Sequence, residues 1–134
     1  MSNNLGTVAV RNYMTTKLMP FSPTMEVMTA LRLLVKHGHS GAPVVDETGA
    51  LIGMFTEKEC LRAAVTANYE GTYAGQVKDF MNAKVQTLTP DSSLLEAATH
   101  FIDSPIKRLP VLEGGRLVGQ VSRSDVLRAV DDLS

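Results

Sequence analysis

The chain is written twice, and that duplication constrains its fold more than any single motif. Val10-Arg11-Asn12-Tyr13-Met14 returns in character as Val77-Lys78-Asp79-Phe80-Met81, an offset of 67 (77 minus 10). Further on, Leu51-Ile52-Gly53-Met54-Phe55-Thr56-Glu57-Lys58-Glu59 returns as Leu117-Val118-Gly119-Gln120-Val121-Ser122-Arg123-Ser124-Asp125, an offset of 66 (119 minus 53). In both copies an apolar run broken by one glycine turns into hydroxyl and carboxylate side chains. An arginine follows in each helix, at Arg62 and Arg128. A unit of about 60 residues buries only about 60% of its unfolded surface and is marginal alone, so two such units are expected to share a core.

Each copy carries the same order of local signals. A short extended piece ends at Phe21-Ser22-Pro23 or Leu88-Thr89-Pro90, where proline biases the preceding residue away from helix. Val27, Met28, Leu31, Leu34 and Val35 then form one apolar helical stripe, and Leu94, Leu95, Ala98, Phe101 and Ile102 repeat its spacing. Ser93 with Glu96 has capping-box spacing, and Gly38 and Pro105 are stop signals. Ala42-Pro43-Val44-Val45 and Leu109-Pro110-Val111-Leu112 are short strands whose early proline restricts them to a strand start or an edge. Turn residues lead each into the glycine-containing strand, giving a hairpin, and a second helix closes the unit, from about Thr56 to Ala67 and from about Ser122 to Asp132. The reading is α/β of the mixed α+β kind: two β-α-β-β-α repeats, 8–67 and 77–132, packed with pseudo-twofold symmetry. Residues 68–76, with two glycines and no periodicity, link them, and Met1 to Thr7 forms a frayed terminus.

Composition excludes several classes. With 13 basic and 14 acidic residues among 134, nothing suggests a nucleic-acid partner or an anionic membrane surface. The apolar runs fall far short of the roughly 20 residues a membrane span needs, and no basic segment leads into an apolar stretch at the start. A cytoplasmic protein is expected. The single cysteine, Cys60, cannot form an internal disulfide and reads as a small core residue. His37, His39 and Cys60 lack metal-ligand spacing, so no metal site is expected. Gly38-His39-Ser40-Gly41 misses the residue that a Gly-x-Ser-x-Gly elbow needs and sits on a helix-to-strand turn. No nucleophile-base pair emerges, so no catalytic residue and no enzyme is expected.

The opening Val-x-x-Tyr/Phe-Met, the Ser/Thr-Pro before the first helix, the Pro-Val of the first hairpin strand, and the Gly-x-x-Ser/Thr-x-x-Asp/Glu run occur twice in one order. Together they resemble the cystathionine beta-synthase (CBS) domain, in the tandem form called a Bateman module, over about Val8 to Val130. The resemblance implies a regulatory module that binds adenosine-containing nucleotides (AMP, ADP or ATP) in clefts between the repeats, forms a homodimer, and signals to an effector protein not identifiable from the sequence. It implies no required cofactor. NAD or S-adenosylmethionine as ligand, or a degenerate pair serving as a dimerisation scaffold, stands as the alternative.

The motif's chemistry fits that expectation. A helix start presents unpaired N–H groups and partial positive charge, so a phosphate near Ser122 or Thr56 is reasonable, and the hydroxyls of Ser122 and Ser124 add donors. A carboxylate facing that phosphate would repel it, so Asp125 or Glu59 is expected to turn onto neutral donors, the ribose hydroxyls. The glycine before each motif leaves room for a flat base against the strand. Lys107, Arg108 and Arg123 add cations in the second copy, where the first has Ser40 and Gly41 opposite Lys107 and Arg108. By resemblance, His39 and Ser40 line the opposite cleft near base or sugar. The nucleotide site is therefore assigned to Ser122, Arg123, Ser124, Asp125, Lys107, Arg108, His39 and Ser40, with a weaker second site at Thr56, Lys58 and Glu59. The same Ser/Thr-to-acid spacing is also that of a capping box, which a helix that binds nothing would carry.

Overall fold

The computed structural model describes residues 4–72 and 75–134. Met1–Asn3 of the expected frayed terminus and Tyr73-Ala74 of the expected linker lie outside the described residues. The chain forms two compact units: one holds residues 19–85, the other residues up to 18 together with 86–134.

In the 19–85 unit, α1 (Val27–His37) stops at Gly38, which takes the left-handed conformation (φ 65°) that its missing Cβ allows and whose N–H reaches Leu34 O and Val35 O. β1 (Gly41–Val45) and β2 (Leu51–Thr56) form an antiparallel hairpin in which Ala42 faces Phe55 and Val44 faces Gly53, with a bulge between Val44 and Val45. The turn is tied by Asp46 Oδ1, which accepts from Thr48 N (2.9 Å) and Ala50 N (3.1 Å). α2 (Glu57–Glu70) follows, then the short α3 (Val77–Phe80). The hairpin gains a bridge on each flank. Phe21 pairs parallel with Val44, and Asn82 pairs antiparallel with Met54.

The other unit repeats this plan. α4 (Leu94–Asp103) is capped by Ser93, whose Oγ accepts from Glu96 N at 3.1 Å. β3 (Arg108–Glu113) and β4 (Arg116–Ser122) pair with Leu109 facing Val121 and Val111 facing Gly119, and α5 (Arg123–Leu133) closes the unit. Leu88 pairs with Val111 on one flank and Thr15 with Gln120 on the other. The strand expected to open each repeat is thus reduced to single bridges.

The opening segments are exchanged. Val10, from the start of the first repeat, is buried with Leu94, Phe101, Leu109 and Val121 of the second, while Val77 is buried with Phe21, Val27, Val44 and Phe55 of the first. The compact units therefore differ from the sequence repeats 8–67 and 77–132 in which opening segment each contains. Among the described residues, each unit encloses its own cluster of buried residues. The physical reason is at the glycines. A Cβ on Gly119 would lie 2.5 Å from Met14 Sδ and 3.2 Å from Thr15 O, and one on Gly53 would lie 2.8 Å from Met81 Sδ and 3.0 Å from Asn82 O. The space expected for a flat base against the strand is where the opening segment packs.

This makes Gly53→Ala a defined test. Asn82 O cannot retreat freely, because it accepts from Met54 N at 2.9 Å while Asn82 N donates back to Met54 O at 2.9 Å. The variant is expected to lose about 1–3 kcal/mol to overpacking, read as a lower urea midpoint. An unchanged midpoint would show that residues 81–82 are not held against β2.

Three local expectations change. The helix stripes split: Val27, Ala30 and Leu34, like Leu94, Ala97 and Phe101, are buried, whereas Val35 is 74% and Ile102 82% exposed. Each helix enters the core cluster of its unit along i, i+3, i+7, and the adjoining positions fall on a second, outward face. Asn68–Glu70 continue α2 instead of starting a linker, and Gly71 ends the helix at φ 80°. At the described part of the N-terminus, Leu5 O accepts from Leu95 N and Val8 O from Leu94 N, so residues 5–8 are tied to the start of α4.

Candidate functional site

β4 runs straight into α5 because Ser122 keeps an extended backbone (φ −106°, ψ 168°) while the next residue is already helical. Ser122 Oγ accepts from Asp125 N (3.2 Å), and Asp125 Oδ2 accepts from Ser122 N (2.8 Å), a reciprocal capping box. Ser124 Oγ lies 2.8 Å from Ser122 Oγ, so two hydroxyls sit side by side at the helix start. Arg108 is the cross-strand partner of Ser122, which puts its side chain on the same sheet face. Arg123 is the first, exposed residue of α5, and Lys107 precedes β3. Ser122, Ser124, Asp125, Arg123 and Arg108 are therefore gathered around one helix N-terminus, with Lys107 next in chain.

Arg128, one turn into α5, was not among the residues selected from the sequence. Its Nη1 donates to Asp125 Oδ1 (3.1 Å), its Nη2 donates to Tyr13 O (3.1 Å), and its guanidinium lies 5.5 Å from the centre of the Tyr13 ring. Tyr13 in turn donates to Asp132 Oδ2 at 2.8 Å. That hydrogen bond, followed by burial, holds the Tyr13 phenol above its ordinary pKa. The recurrence of arginine three residues after each acid was the sequence signal available for Arg128. Its use as a clasp between helix and opening segment appears only once Tyr13 is placed against α5.

The start of α2 is built differently. Thr56 N donates to Glu59 Oε2 at 3.0 Å, and the Thr56 hydroxyl makes a close hydrogen bond to the same oxygen. Glu59 is 4% exposed, and Lys58 stands on the exposed side of the helix. Ser40 O accepts from Glu57 N (2.9 Å), so the loop with His39 and Ser40 is fastened to the first turn of α2. His39 and Ser40 belong to the 19–85 unit, and the α5 residues to the other. Both carboxylates expected to face outward to a ribose are folded back as helix caps, because an unpaired N–H at a helix start is the nearest donor available to an acid at that position.

Cys60 lies half-buried against the core of its unit. Burial, with Glu59 and Glu57 adding to it, pushes its thiol up to about 11, away from the thiolate form a nucleophile needs. Among the described residues no cluster of three or more His, Cys, Asp or Glu is arranged to hold a metal ion, and no helix is long and apolar enough to cross a membrane.

Two copies of one hairpin-and-helix plan, each with a hydroxyl and an acid at a helix start, define a tandem α+β repeat module. The chain belongs to the CBS domain family, whose model matches residues 10–66 and 77–132, and it is a tandem CBS pair. It is similar to the A-adding tRNA nucleotidyltransferase of Aquifex aeolicus, 32% identical over 92% of this chain but spanning only 14% of that protein. It is 29% identical to the CBS domain-containing protein YhcV of Bacillus subtilis, over 94% of this chain and 86% of that one. CBSX2 of Arabidopsis thaliana, solved in complex with AMP, superposes with a TM-score of 0.84 at 28% identity, covering 93% of this chain and 97% of that chain. CBS pairs are generally regulatory modules.

Proposed function

We propose that the chain is a regulatory module that binds an adenine nucleotide at the start of α5 and signals the bound state to a partner protein. The observation that carries this reading is the gathering of Ser122, Ser124, Arg123 and Arg108 around one helix N-terminus, in a chain similar throughout to CBSX2, which was solved with AMP. Helix N–H groups and two hydroxyls suit a phosphate. Arg108 and Arg123, with Lys107 beside them, favour a phosphorylated ligand, AMP, ADP or ATP, over S-adenosylmethionine. Asp125 uses one acceptor position on each oxygen for its cap and for Arg128, and a carboxylate oxygen has two. It can therefore still accept from ribose hydroxyls without giving up the cap. Thr56, Lys58 and Glu59 form a weaker second site.

The module works as a homodimer, a reading supported by its outward apolar helix positions: Leu61, Val65 and Tyr69 on α2, and Leu95, Ile102, Leu127 and Val130 on α4 and α5 are exposed. A ligand alters signalling only by binding two states unequally.

A thermal-shift series with AMP, ADP, ATP, NAD and S-adenosylmethionine tests the proposal. AMP at 100 times its dissociation constant is expected to add about 2.7 kcal/mol to stability, several degrees in Tm. No shift with any of the five would reject the nucleotide reading and leave a dimerisation scaffold.

A further inference from the structure

Gln120, in the middle of β4, is 7% exposed, and its amide Oε1 is buried with no hydrogen-bond partner. Its main chain is fully used: Thr15 N donates to Gln120 O at 2.9 Å, and Gln120 N donates to Thr15 O at 3.0 Å. Strand alternation puts the side chain on the face of Ser122 and Arg108, opposite the core face of Val121. The residue directly across on that face is Pro110, which has no N–H to offer. A buried acceptor without a donor is destabilising, because it has lost its water and gained nothing.

The first repeat supplies an internal control. Met54 holds the equivalent place: it pairs across the hairpin with Pro43, bridges an opening segment at Asn82, and is likewise buried. The fold therefore builds this position with an apolar side chain of similar length, and the amide of the second repeat is not a folding requirement. The unpaired oxygen lies two residues before Ser122, on the same face as the helix start assigned to phosphate.

We infer that Gln120 is a specificity-determining residue whose Oε1 accepts a hydrogen bond from a neutral donor of the bound nucleoside, either the amino group of the base or a ribose hydroxyl. The inference rests on the nucleotide reading above and adds a selection rule: ligands lacking that donor are rejected, since they leave the oxygen unpaired.

The test is Gln120→Met, which installs the side chain of the equivalent position. Calorimetry is run on wild type and variant with AMP, IMP, whose base has an oxo group in place of the amino group, and 2′-deoxy-AMP, alongside melting without ligand. The expected result is a higher Tm for the ligand-free variant and at least tenfold weaker AMP binding. Wild type should prefer AMP at least tenfold over one analogue, and the variant should lose that preference; which analogue it is identifies the donor. Equal AMP affinity in both proteins, or a preference the variant keeps, would overturn the inference. Wild type that binds none of the three defeats the nucleotide reading instead. In that event a variant Tm no higher than wild type overturns the role of Gln120 as well, and a raised Tm supports an acceptor kept for the donor of a different ligand.

Discussion

Phe55→Ala is expected to lower the stability of the protein by about 3–5 kcal/mol. Phe55 is fully buried near the end of β2, with its ring centroid 6.3 Å from that of Phe21 at a tilted angle of 55°. Its core neighbours include Ala30, Ala42 and Ala63, side chains with no reach to collapse into the space a ring leaves. The cavity would therefore persist, and the loss should fall in the upper part of the range for large-to-small changes. Against a total of about 5–15 kcal/mol, that is enough to unfold a weakly stable chain under mild conditions. Urea denaturation followed by circular dichroism measures it as a fall in midpoint at constant slope. A loss below about 1 kcal/mol would mean that the Phe21-Phe55 pair is not the centre of this core.

The second large effect concerns ligand affinity and separates the two helix starts. Asp125→Ala is expected to weaken AMP binding at least 100-fold, whereas Glu59→Ala should change it less than threefold. The difference comes from how each acid is held. The Asp125 side chain is 13% exposed and shares its load between Ser122 N and Arg128, leaving acceptor positions on both oxygens. Glu59 is buried and takes both the main-chain N–H and the hydroxyl of Thr56 on one oxygen, so this helix start offers a ligand less access and fewer free donors than the start of α5. Two hydrogen bonds to a charged acceptor, each worth about 1.5–3 kcal/mol, account for the 100-fold figure. Removing either acid also removes a helix cap and should cost about 1 kcal/mol of stability. Asp125→Asn keeps an oxygen for Ser122 N and so serves as the folded control. It should melt close to wild type and still bind AMP more than tenfold less tightly. Equal affinities for wild type and Asp125→Ala would remove the carboxylate from the site.

Much of the architecture was legible because it depends on local rules. Gly38 ended α1 where only a left-handed residue fits, Asp46 and Gly49 closed the first hairpin, and the proline at the third place of β1 and of β3 marked both strands. Of the proposed site, the helix starts at Ser122 and Thr56 were legible from the hydroxyl-to-acid spacing. The direction in which the acids point was not, since the same spacing serves a cap and a ribose contact equally well. Arg128 and Gln120 were passed over because what distinguishes them is a partner far away in sequence, Tyr13 for one, or the lack of one on the face shared with Pro110 for the other.

By itself, then, the sequence determined that this protein is one small motif used twice, with its hairpins, helix limits and hydroxyl-acid turns in place, because propensity, turn chemistry and capping act over a few residues. Only the tertiary structure decided that Met14 packs against Gly119 and Met81 against Gly53, each opening segment completing the hairpin of the other repeat. Two nearly equivalent opening segments fit two nearly equivalent hairpins. The choice between them rests on contacts between residues far apart in the chain, which no local pattern records.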